Sequence, residues 1–471
     1  MNWFMIFNYV VFGYFITLSL VYFVTSIFAF RQLRQYAYTL DADPDLSLLS
    51  SGFLPPITIL APAYNEQETC VESTKSLLAL EYPDYEVLII NDGSKDATFE
   101  RLREAFQLKE AFRMPVASIP AARIKGLYQS QRIPNLWVID KENGGKADSL
   151  NTGINFCTNP LFCVVDADSL LEKTALTRIV RPFIENSDTV AVGGIIRIVN
   201  GSHVESGAVT QVNMPKSLLA KFQVLEYFRA FLGGRMGWEA FNATFIISGA
   251  FGLFHRQTIV EIGGYSTKLT GFETVGEDIE LVIRLHHHCR KHKKPYSISY
   301  VPDPVAWTEC PESLKVLHRQ RSRWQRGLLE STIRHKGMLF NPRYGRIGML
   351  ALPYHLILEG FGPVIEFFSY ISFFYLLFIQ GAASLLFVTT FFMVAFVLGM
   401  VISFIAISLE QLTFRRYPKL SDMAQLFVLS IIESFGYRQL NSYWRIHGVI
   451  TFLLGRKDWG KMERKGFSKA K

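Results

Sequence analysis

The sequence predicts an α/β domain built on a parallel sheet, with membrane-spanning helices at both ends of the chain. Between about residues 51 and 310, short apolar runs that end in polar residues alternate with helical stretches, which is the pattern of a right-handed parallel sheet. Apolar stretches long enough for a bilayer lie before and after this region. The 471 residues are 49% hydrophobic, with a mean hydropathy of +0.18. This composition lies between that of a soluble and that of an all-membrane protein, which fits the same division.

The first segment, residues 1–50, is predicted to be a membrane helix followed by a polar linker. Trp3 to Phe30 contains no charged residue. The run is too long for a cleaved signal peptide, and no basic residue precedes it. Because Arg31 and Arg34 follow directly, its carboxyl end should face the cytoplasm.

The predicted sheet domain, residues 51–310, opens with two strand–loop–helix units. Ile57–Leu60 is the first strand, after which Asn65 can cap a helix. Val87–Ile90 is the second strand and ends at Asp92-Gly93. Asp92 could accept hydrogen bonds from a base or a ribose, and a simple turn explains the same two residues equally well.

A basic insertion separates these units from the third strand. For residues 107–135 a solvated surface is the simplest interpretation. Leu136–Asp140 is the third strand, and Gly144-Gly145-Lys146 then leads into a helix. Free N–H groups and the helix dipole favour negative charge at such a turn, so we expect an anion site there.

The central element is Leu161 to Leu170, a buried strand that ends in Asp166 and Asp168. In extended geometry these carboxylates point to the same side, at the edge where open α/β sheets hold ligands. Two oxygen ligands there suit a Mg²⁺ or Mn²⁺ ion that also contacts a substrate diphosphate. Taken alone, the pair is better explained as an acidic turn, and only the other motifs favour a metal site.

Two further strands are predicted, Val190–Val199 and Thr244–Phe254, with a helix at Lys216–Phe231 between them. The second strand carries small residues from Ser248 to Gly252. Such residues either let a ligand approach the backbone or serve tight strand packing.

An acidic helix start follows at Thr274, with Asp278 in its first turn and an end near His288. The functional interpretation makes Asp278 a general base. Acidic residues also occur at helix starts because of the helix dipole alone. We interpret the histidine-rich end of this helix as a basic solvated surface rather than a metal cluster.

The segment 311–355 is predicted to lie at the membrane interface. Its first helix, from about Pro311 to His335, places Gln320, Arg323 and Trp324 on one face. That face offers a cation for phosphate and a flat ring for a sugar. The strongly basic remainder of the helix could lie on the membrane surface, and both interpretations can hold together.

The segment 356–471 carries the remaining membrane helices. We expect spans at Ile357–Ile379, after a break at Pro353, and at Leu385–Leu409. Carboxylates inside them should face protein or a pore. Basic clusters on both sides of Leu420–Leu454 favour a re-entrant or interfacial hairpin over a third crossing.

The net charge indicates which partners the protein can bind, and the cysteine content indicates its compartment. The net charge is +8, and much of the excess lies near membrane boundaries, which favours anionic lipid over nucleic acid as a partner. The five cysteines show no metal or redox spacing, which fits a reducing cytoplasm.

Four motifs together resemble a known family. In chain order they are Asp92, Asp166-Ala167-Asp168, Gly276-Glu277-Asp278 and Gln320-Arg321-Ser322-Arg323-Trp324. This set resembles the membrane-embedded family-2 glycosyltransferases, which include cellulose, hyaluronan and poly-N-acetylglucosamine synthases. The resemblance runs from about Pro55 to about His335, with a looser match to the last of these, and it does not identify the sugar. Gly276 stands where the family usually has Thr, and Asn91 where it often has Asp.

The resemblance implies a GT-A fold and an inverting transfer from a nucleoside-diphosphate sugar, most often a UDP-sugar. Asp278 would deprotonate the acceptor, and Asp166 and Asp168 would bind Mg²⁺ or Mn²⁺. The residues implied to hold the donor or acceptor are Tyr64, Glu66, Asp92, Lys146, Asp166, Gln320, Arg323 and Trp324.

The same resemblance implies polysaccharide synthesis coupled to export. The protein would be a multi-pass protein of the inner cell membrane with its catalytic domain in the cytoplasm, acting on a saccharide acceptor, with possible accessory export subunits. Two alternatives remain open. One is transfer of a single sugar to a lipid carrier, and the other is a non-catalytic scaffold that binds a nucleotide or a polysaccharide.

Overall fold

The computed structural model describes residues 3–42, 54–205, 207–379, 385–417 and 419–455. Its helices are α1 (Trp3–Ala42), α2 (Cys70–Leu78), α3 (Thr98–Phe106), α4 (Lys146–Phe156), α5 (Ala175–Ile179), α6 (Arg181–Glu185), α7 (Leu218–Phe228), α8 (Met236–Glu239), α9 (Arg256–Glu261), α10 (Glu277–Lys291), α11 (Leu314–Arg334), α12 (Gly362–Ile379), α13 (Leu385–Phe392), α14 (Leu398–Thr413), α15 (Leu420–Ile432) and α16 (Tyr437–Leu453). Its strands are β1 (Ile57–Ala63), β2 (Tyr85–Asn91), β3 (Leu108–Glu110), β4 (Ile124–Ser130), β5 (Leu136–Lys141), β6 (Leu161–Val165), β7 (Leu170–Leu171), β8 (Thr189–Ile198), β9 (His203–Glu205), β10 (Ala208–Gln211), β11 (Phe251–His255) and β12 (Ser297–Thr308).

The chain divides into two compact units. The sheet unit comprises Ala37–Asn213 and Thr244–Cys310, and the membrane unit comprises Met1–Tyr36, Met214–Ala243 and Pro311–Glu463, in each case as far as these ranges are described. The sequence places residues 214–243 inside the domain 51–310, whereas the structure groups them with the membrane helices. The reason is a set of polar contacts within that unit, such as the 2.5 Å ion pair between Arg229 Nη1 and Glu433 Oε1.

The sheet unit is built on a ten-stranded mixed sheet in the order β3-β4-β5-β2-β1-β6-β11-β8-β12-β7. Its centre, β5-β2-β1-β6, is parallel throughout. These strands are rich in Val, Ile and Leu, and all five residues of β6 are buried, as expected for strands covered on both faces. The predicted parallel core and its strand positions are therefore confirmed.

The basic insertion does not form only a solvated surface. Within residues 107–135, β3 and β4 pair antiparallel and extend the sheet beyond β5. Arg113 forms a 2.7 Å ion pair with Glu86 and lies 5.2 Å from the ring centre of Trp137. The insertion thus completes one side of the sheet, and one of its arginines serves packing.

The other side of the sheet also differs from the prediction. Only Phe251–His255 of the predicted strand 244–254 is extended, and it runs antiparallel to β6 and β8. The small residues before it form a turn, in which the Phe251 N–H donates to Ser248 O at 3.1 Å. Strand β12 was not predicted, and it contains Pro302 and Pro304, residues that are unusual inside a strand. The structure accommodates these residues with a register shift between Tyr300 and Val305.

Asn65 is not a helix cap. It has a positive φ of 55°, and α2 begins only at Cys70, after Thr69. Its side-chain oxygen accepts a 2.8 Å hydrogen bond from the Lys95 N–H instead. Asn tolerates this left-handed conformation, and here it joins the loops that follow β1 and β2.

The membrane unit contains two helical stretches long and apolar enough to cross a bilayer, Ile6–Tyr38 and Val388–Thr413, judged over the described residues by length and composition. A third candidate, Ile347–Gly360 with Gly362–Phe378, bends by 42° at a break between its two parts. Pro353 is not the break. The adjoining turns, Ile347–Ala351 and Tyr354–Gly360, are wound as wider π-helix, which accommodates its missing N–H.

The carboxylates of these helices contact protein side chains. Tyr14 donates to Glu366 at 2.7 Å, and Arg445 pairs with Glu359 at 3.0 Å. Such pairing is what burial in an apolar region requires. The helices α15 and α16 cover Leu420–Ile432 and Tyr437–Leu453, so each is shorter than an ordinary span.

Candidate active site

The site follows from the order of the parallel strands. Because β5, β2, β1 and β6 are neighbours and run in the same direction, their carboxyl ends lie along one edge of the sheet. The residues placed there by the first turns beyond these strands include Tyr64, Asp92, Lys146 and Asp166. Four of the residues predicted for the site thus lie on the edge where α/β sheets bind ligands.

Asp166 and Asp168 lie in a turn and not in an extended segment. The strand ends at Val165, and the Ser169 N–H donates to Asp166 O at 3.0 Å to close the turn. The side chain of Asp166 is 29% exposed, whereas Asp168 is 7% exposed. The two carboxylates are therefore close in the chain, but alternation along a strand is not what brings them together.

Lys146 connects the acidic turn to the neighbouring strand. Its Nζ lies 2.5 Å from Asp166 Oδ1 and donates to Gly249 O at 3.1 Å. Burial alone would lower the pKa of this amine, but the carboxylates of Asp166, Glu277 and Asp278 raise its pKa above the usual value. Lys146 is therefore an ammonium ion at neutral pH.

Asp278 lies beside the same group. It is the second residue of α10 and is partly buried, and its Oδ1 accepts a 2.9 Å hydrogen bond from the Ile279 N–H. A Cβ atom added to Gly249 would lie 2.8 Å from Lys146 Nζ and 3.9 Å from Asp278 Cβ. The structure thus brings together Asp166, Lys146 and Asp278, which are far apart in the sequence.

Asp92 organises the loop between β5 and α4. Its buried carboxylate pairs with Lys141 Nζ at 2.6 Å and accepts hydrogen bonds from Gly144 N and Gly145 N at 2.9 and 2.8 Å. The Asn143 side chain donates to it as well, at 3.1 Å. These contacts fix the glycine turn that starts α4, and the predicted role of Asp92 toward a base or ribose stays a prediction.

Tyr64 and Glu66 follow β1 on the same edge. Tyr64 is 43% exposed, so its ring could support a base. Glu66 Oε2 accepts a 2.9 Å hydrogen bond from the Thr69 hydroxyl, so it also stabilises the start of α2. Their roles toward a donor stay predictions.

Gln320, Arg323 and Trp324 belong to the membrane unit. All three lie on α11, where the i, i+3 and i+4 spacing places them on one face. Trp324 is 43% exposed, and the guanidinium carbon of Arg321 lies 4.4 Å from its ring centre. Arg321 itself pairs with Glu226 and is buried, so it serves packing within the unit.

Two residues important for the site were not selected from the sequence. Lys141 is fully buried and bridges Asp92 and Asp148, with Nζ 2.8 Å from the second carboxylate. Its position at the end of a strand, directly after Asp140, was the only available signal. Gly249 was noted only as one of several small residues.

The acidic turn suits a divalent cation held jointly with a diphosphate. Carboxylate oxygens are the ligands that Mg²⁺ and Mn²⁺ prefer, and such ions often take one or two carboxylates together with substrate phosphates. Within the described part of the chain, no group of three or more His, Cys, Asp or Glu residues could hold a metal without such help. Asp166 and Asp168 therefore fit the implied ion as a partial ligand set.

Comparisons with known proteins agree with the fold. Residues 58–256 match the family described as Glycosyl transferase family 2, and residues 161–405, more than half of the chain, match Glycosyl transferase family group 2. A solved structure, the mannosyltransferase PcManGT from Pyrobaculum calidifontis, has a TM-score of 0.52 at 15% identity and covers 95% of this chain and 100% of its own. That likeness shows a shared fold, which is the predicted GT-A fold.

Curated relatives point to the same family. The poly-beta-1,6-N-acetyl-D-glucosamine synthase of Staphylococcus aureus (strain COL) is 30% identical over 328 residues, which are 70% of this chain and 66% of that protein. The enzyme of that name from Staphylococcus epidermidis is 30% identical over 279 residues, 59% of this chain and 56% of that protein. The matched region thus spans just under two thirds of the S. aureus relative. Taken with the family match over more than half of its length, the chain belongs to the family-2 glycosyltransferases.

Proposed function

We propose that this membrane protein transfers a sugar from a UDP-sugar to a growing polysaccharide, with inversion at the anomeric carbon and with help from a divalent metal ion. The observation that carries the proposal is the convergence of Asp166, Lys146 and Asp278 at one edge of the sheet. It supports a site in which one part binds a charged diphosphate and another part supplies the general base. Kinship with N-acetylglucosamine polymer synthases supports a polysaccharide product.

The chain's own residues would act in three ways. The Lys146 ammonium and the free N–H groups at the start of α4 would hold the diphosphate. The Asp278 carboxylate would accept the proton of the acceptor hydroxyl as that oxygen attacks the anomeric carbon. The bond from that carbon to the diphosphate oxygen breaks in the same displacement, so UDP leaves and the configuration inverts.

Asp166 and Asp168 would hold the metal ion. Bound there, the ion would offset the negative charge that develops on the departing diphosphate. The P. calidifontis mannosyltransferase was solved with GDP-Man and Mn²⁺, which supports the use of a divalent ion on this fold. The choice between Mg²⁺ and Mn²⁺ is left to experiment.

The face of α11 would receive the acceptor. Trp324 presents an exposed ring on which a sugar can stack, and Arg323 and Gln320 lie on the same face. The two or three candidate spans of the membrane unit would let a polymer leave the cytoplasm as it grows. Anionic lipid would contact the basic boundaries of these spans, and accessory subunits would assist export.

The experiment is a donor panel with product sizing. Purified full-length protein in nanodiscs is incubated with radiolabelled UDP-sugars, UDP-N-acetylglucosamine among them, with and without EDTA, and the products are separated by size. We expect one UDP-sugar to give long products only when Mg²⁺ or Mn²⁺ is present. Products one sugar long would favour transfer to a lipid carrier, and binding without turnover for every donor would favour the scaffold.

A further inference from the structure

The inference concerns the cation already inside the acidic site. Lys146 Nζ lies 2.5 Å from Asp166 Oδ1, which is within the range of a strong charged hydrogen bond. The same nitrogen lies 3.1 Å from the carbonyl oxygen of Gly249. A carboxylate and a backbone carbonyl are oxygen ligands of the kind that hard divalent cations take. The ammonium therefore contacts one of the two carboxylates proposed to hold the metal ion.

The surroundings keep this ammonium in place. Glu277 and Asp278 at the start of α10 lie close enough to stabilise its charge, in addition to Asp166. Gly249 has no side chain, and a Cβ there would lie only 2.8 Å from Nζ, so a larger residue would displace the amine. The chain itself thus supplies a positive charge beside Asp166.

We propose that the Lys146 ammonium occupies the place of the divalent cation in the donor-free enzyme and leaves Asp166 when the metal and the diphosphate bind. This inference rests on the proposed function, because it takes Asp166 as a metal ligand. It adds that Lys146 competes with the ion for Asp166 before it serves the diphosphate.

The position and length of the Lys146 side chain would allow such an exchange. Its side chain is 22% exposed, and a four-carbon stem can swing while its backbone stays fixed at the first residue of α4. At that position it lies beside the free N–H groups that would receive the diphosphate. When Lys146 leaves Asp166, the free energy of that ion pair is lost, and a new contact between Lys146 and the diphosphate would offset the loss. The metal should therefore bind weakly alone and more tightly together with the donor.

The test measures Mn²⁺ binding and not turnover. Free Mn²⁺ is followed by electron paramagnetic resonance as it is titrated into the full-length protein in nanodiscs without nucleotide. Lys146→Met removes the charge and keeps the approximate length. We expect this variant to bind Mn²⁺ about 10-fold more tightly than the unmodified protein, since one charged hydrogen bond no longer competes.

Two control variants separate the possible results. Lys109→Met removes an exposed lysine on β3 of the same unit and should leave Mn²⁺ affinity unchanged. Asp166→Asn combined with Lys146→Met should abolish the gain. If the unmodified and Lys146→Met proteins bound Mn²⁺ equally well and Asp166→Asn weakened binding in both, Lys146 would not compete with the ion. The metal site at Asp166 would still be supported. Mn²⁺ binding that ignores Asp166→Asn would overturn the metal site itself, and the inference with it.

A structure of the full chain with Mn²⁺ alone gives a second readout. We expect Lys146 Nζ to have moved beyond about 4 Å, the limit of an ion pair, from Asp166. A bound Mn²⁺ ion with the Lys146–Asp166 contact still in place would contradict the exchange. This measurement distinguishes direct competition from a general effect of a nearby positive charge.

Discussion

At the scale of single residues, Asp278 and Asp166 occupy different environments although both lie near Lys146. Asp166 is in direct contact with the ammonium, whereas Asp278 has an oxygen bonded to the first turn of its own helix. The direct contact of Asp166 with a cation favours it as the ligand, which leaves Asp278 as the other carboxylate of the cluster. We therefore propose Asp278 as the general base and Asp166 as the metal ligand.

The first prediction is therefore that Asp278→Asn keeps donor binding and loses turnover. The amide cannot accept the acceptor's proton, and we expect the rate to fall by a factor of about 10² to 10⁴. UDP release measures the rate, and a fluorescent UDP analogue measures binding. Asp188→Asn, an exposed substitution in the same unit, should leave both unchanged. Turnover close to normal in Asp278→Asn would remove this residue as the base.

The sequence could identify these residues but not all of their contacts. Asp166 and Asp278 stand in recognisable patterns, because each follows or starts an element with a clear apolar period. Asp92 also stood in such a pattern, yet its partners Lys141 and the amides of Gly144 and Gly145 lie about 50 residues away. No local pattern reports a contact of that span, so its structural role emerged only from the fold.

At the scale of elements, the start of α4 depends on Asp92. Gly145 has a φ of 89°, and Asp92 is the acceptor for its N–H and for that of Gly144. The glycine turn and the buried Lys141 therefore share one carboxylate. The helix that carries Lys146, the lysine proposed to bind the donor, is thus fixed by the residue that follows β2.

We predict that Asp92→Ala destabilises the sheet unit. The variant leaves the buried Lys141 with Asp148 as its remaining carboxylate partner and frees two loop amides, at a cost of about 3 kcal/mol. The melting temperature in detergent should fall by roughly 6 to 12 °C for a unit of this size. Glu104→Ala, an exposed substitution on α3, should change it by less than about 2 °C. A normal melting temperature for Asp92→Ala would show that the loop is ordered by other contacts.

Helix α10 carries a buried histidine that makes this unit sensitive to acid. His286 Nε2 lies 2.9 Å from Thr244 O, and Nδ1 lies 2.8 Å from the Tyr296 hydroxyl, so the neutral ring donates to the carbonyl and accepts from the hydroxyl. Burial, together with the charge of the nearby Arg290, lowers the pKa of His286 to about 4. The helix is thus joined to two neighbouring segments through a neutral imidazole.

We predict that this residue makes the sheet unit less stable as the pH is lowered. An unfolded histidine titrates near pH 6.5, so between about 6.5 and 4 only the unfolded chain takes up the proton. The stability that His286 contributes is complete above pH 6.5, and up to about 3 kcal/mol is lost as the pH falls to 4. Melting temperatures from pH 7.5 to 4.5 should fall less steeply for His286→Gln than for the unmodified protein. His203→Gln, at an exposed position, should follow the unmodified curve. If the melting temperature of His286→Gln fell with pH as steeply as that of the unmodified protein, His286 would not be the source of the acid sensitivity.

The elements that the sequence predicts well are those with a single clear hydrophobic pattern. The central strands are uninterrupted apolar runs, and they agree with the structure. The outer strands do not have this property, because β4 has few fully buried residues and β12 contains two prolines. Their place in the sheet is decided by tertiary pairing, which overrides local propensity.

At the scale of the whole molecule, the candidate membrane spans and the cluster around Lys146 occupy different parts of the chain. The candidate spans all belong to the membrane unit except for the last residues of the first one, and the cluster around Lys146 belongs to the sheet unit. The sequence could predict this segregation because long apolar runs are unmistakable. It could not assign residues 214–243, since a buried amphipathic helix has the same pattern in either unit.

Orientation in the membrane supplies the last prediction. Arg31 and Arg34 follow the first span, and Arg415, Arg416 and Lys419 follow the later one, so these ends and the catalytic residues should be cytoplasmic. The amino end of α13, at Leu385, should then face outward. The five native cysteines are buried and should react little with a maleimide, so single added cysteines can report sidedness.

A membrane-impermeant maleimide applied to intact cells should label Leu385→Cys, at an exposed position, and should label Asp188→Cys only after permeabilisation. The unmodified protein serves as the control for background labelling. A donor sugar made in the cytoplasm can reach Asp166 and Lys146 only in this orientation. Labelling of Asp188→Cys in intact cells would therefore contradict both the topology and a cytoplasmic UDP-sugar as the donor.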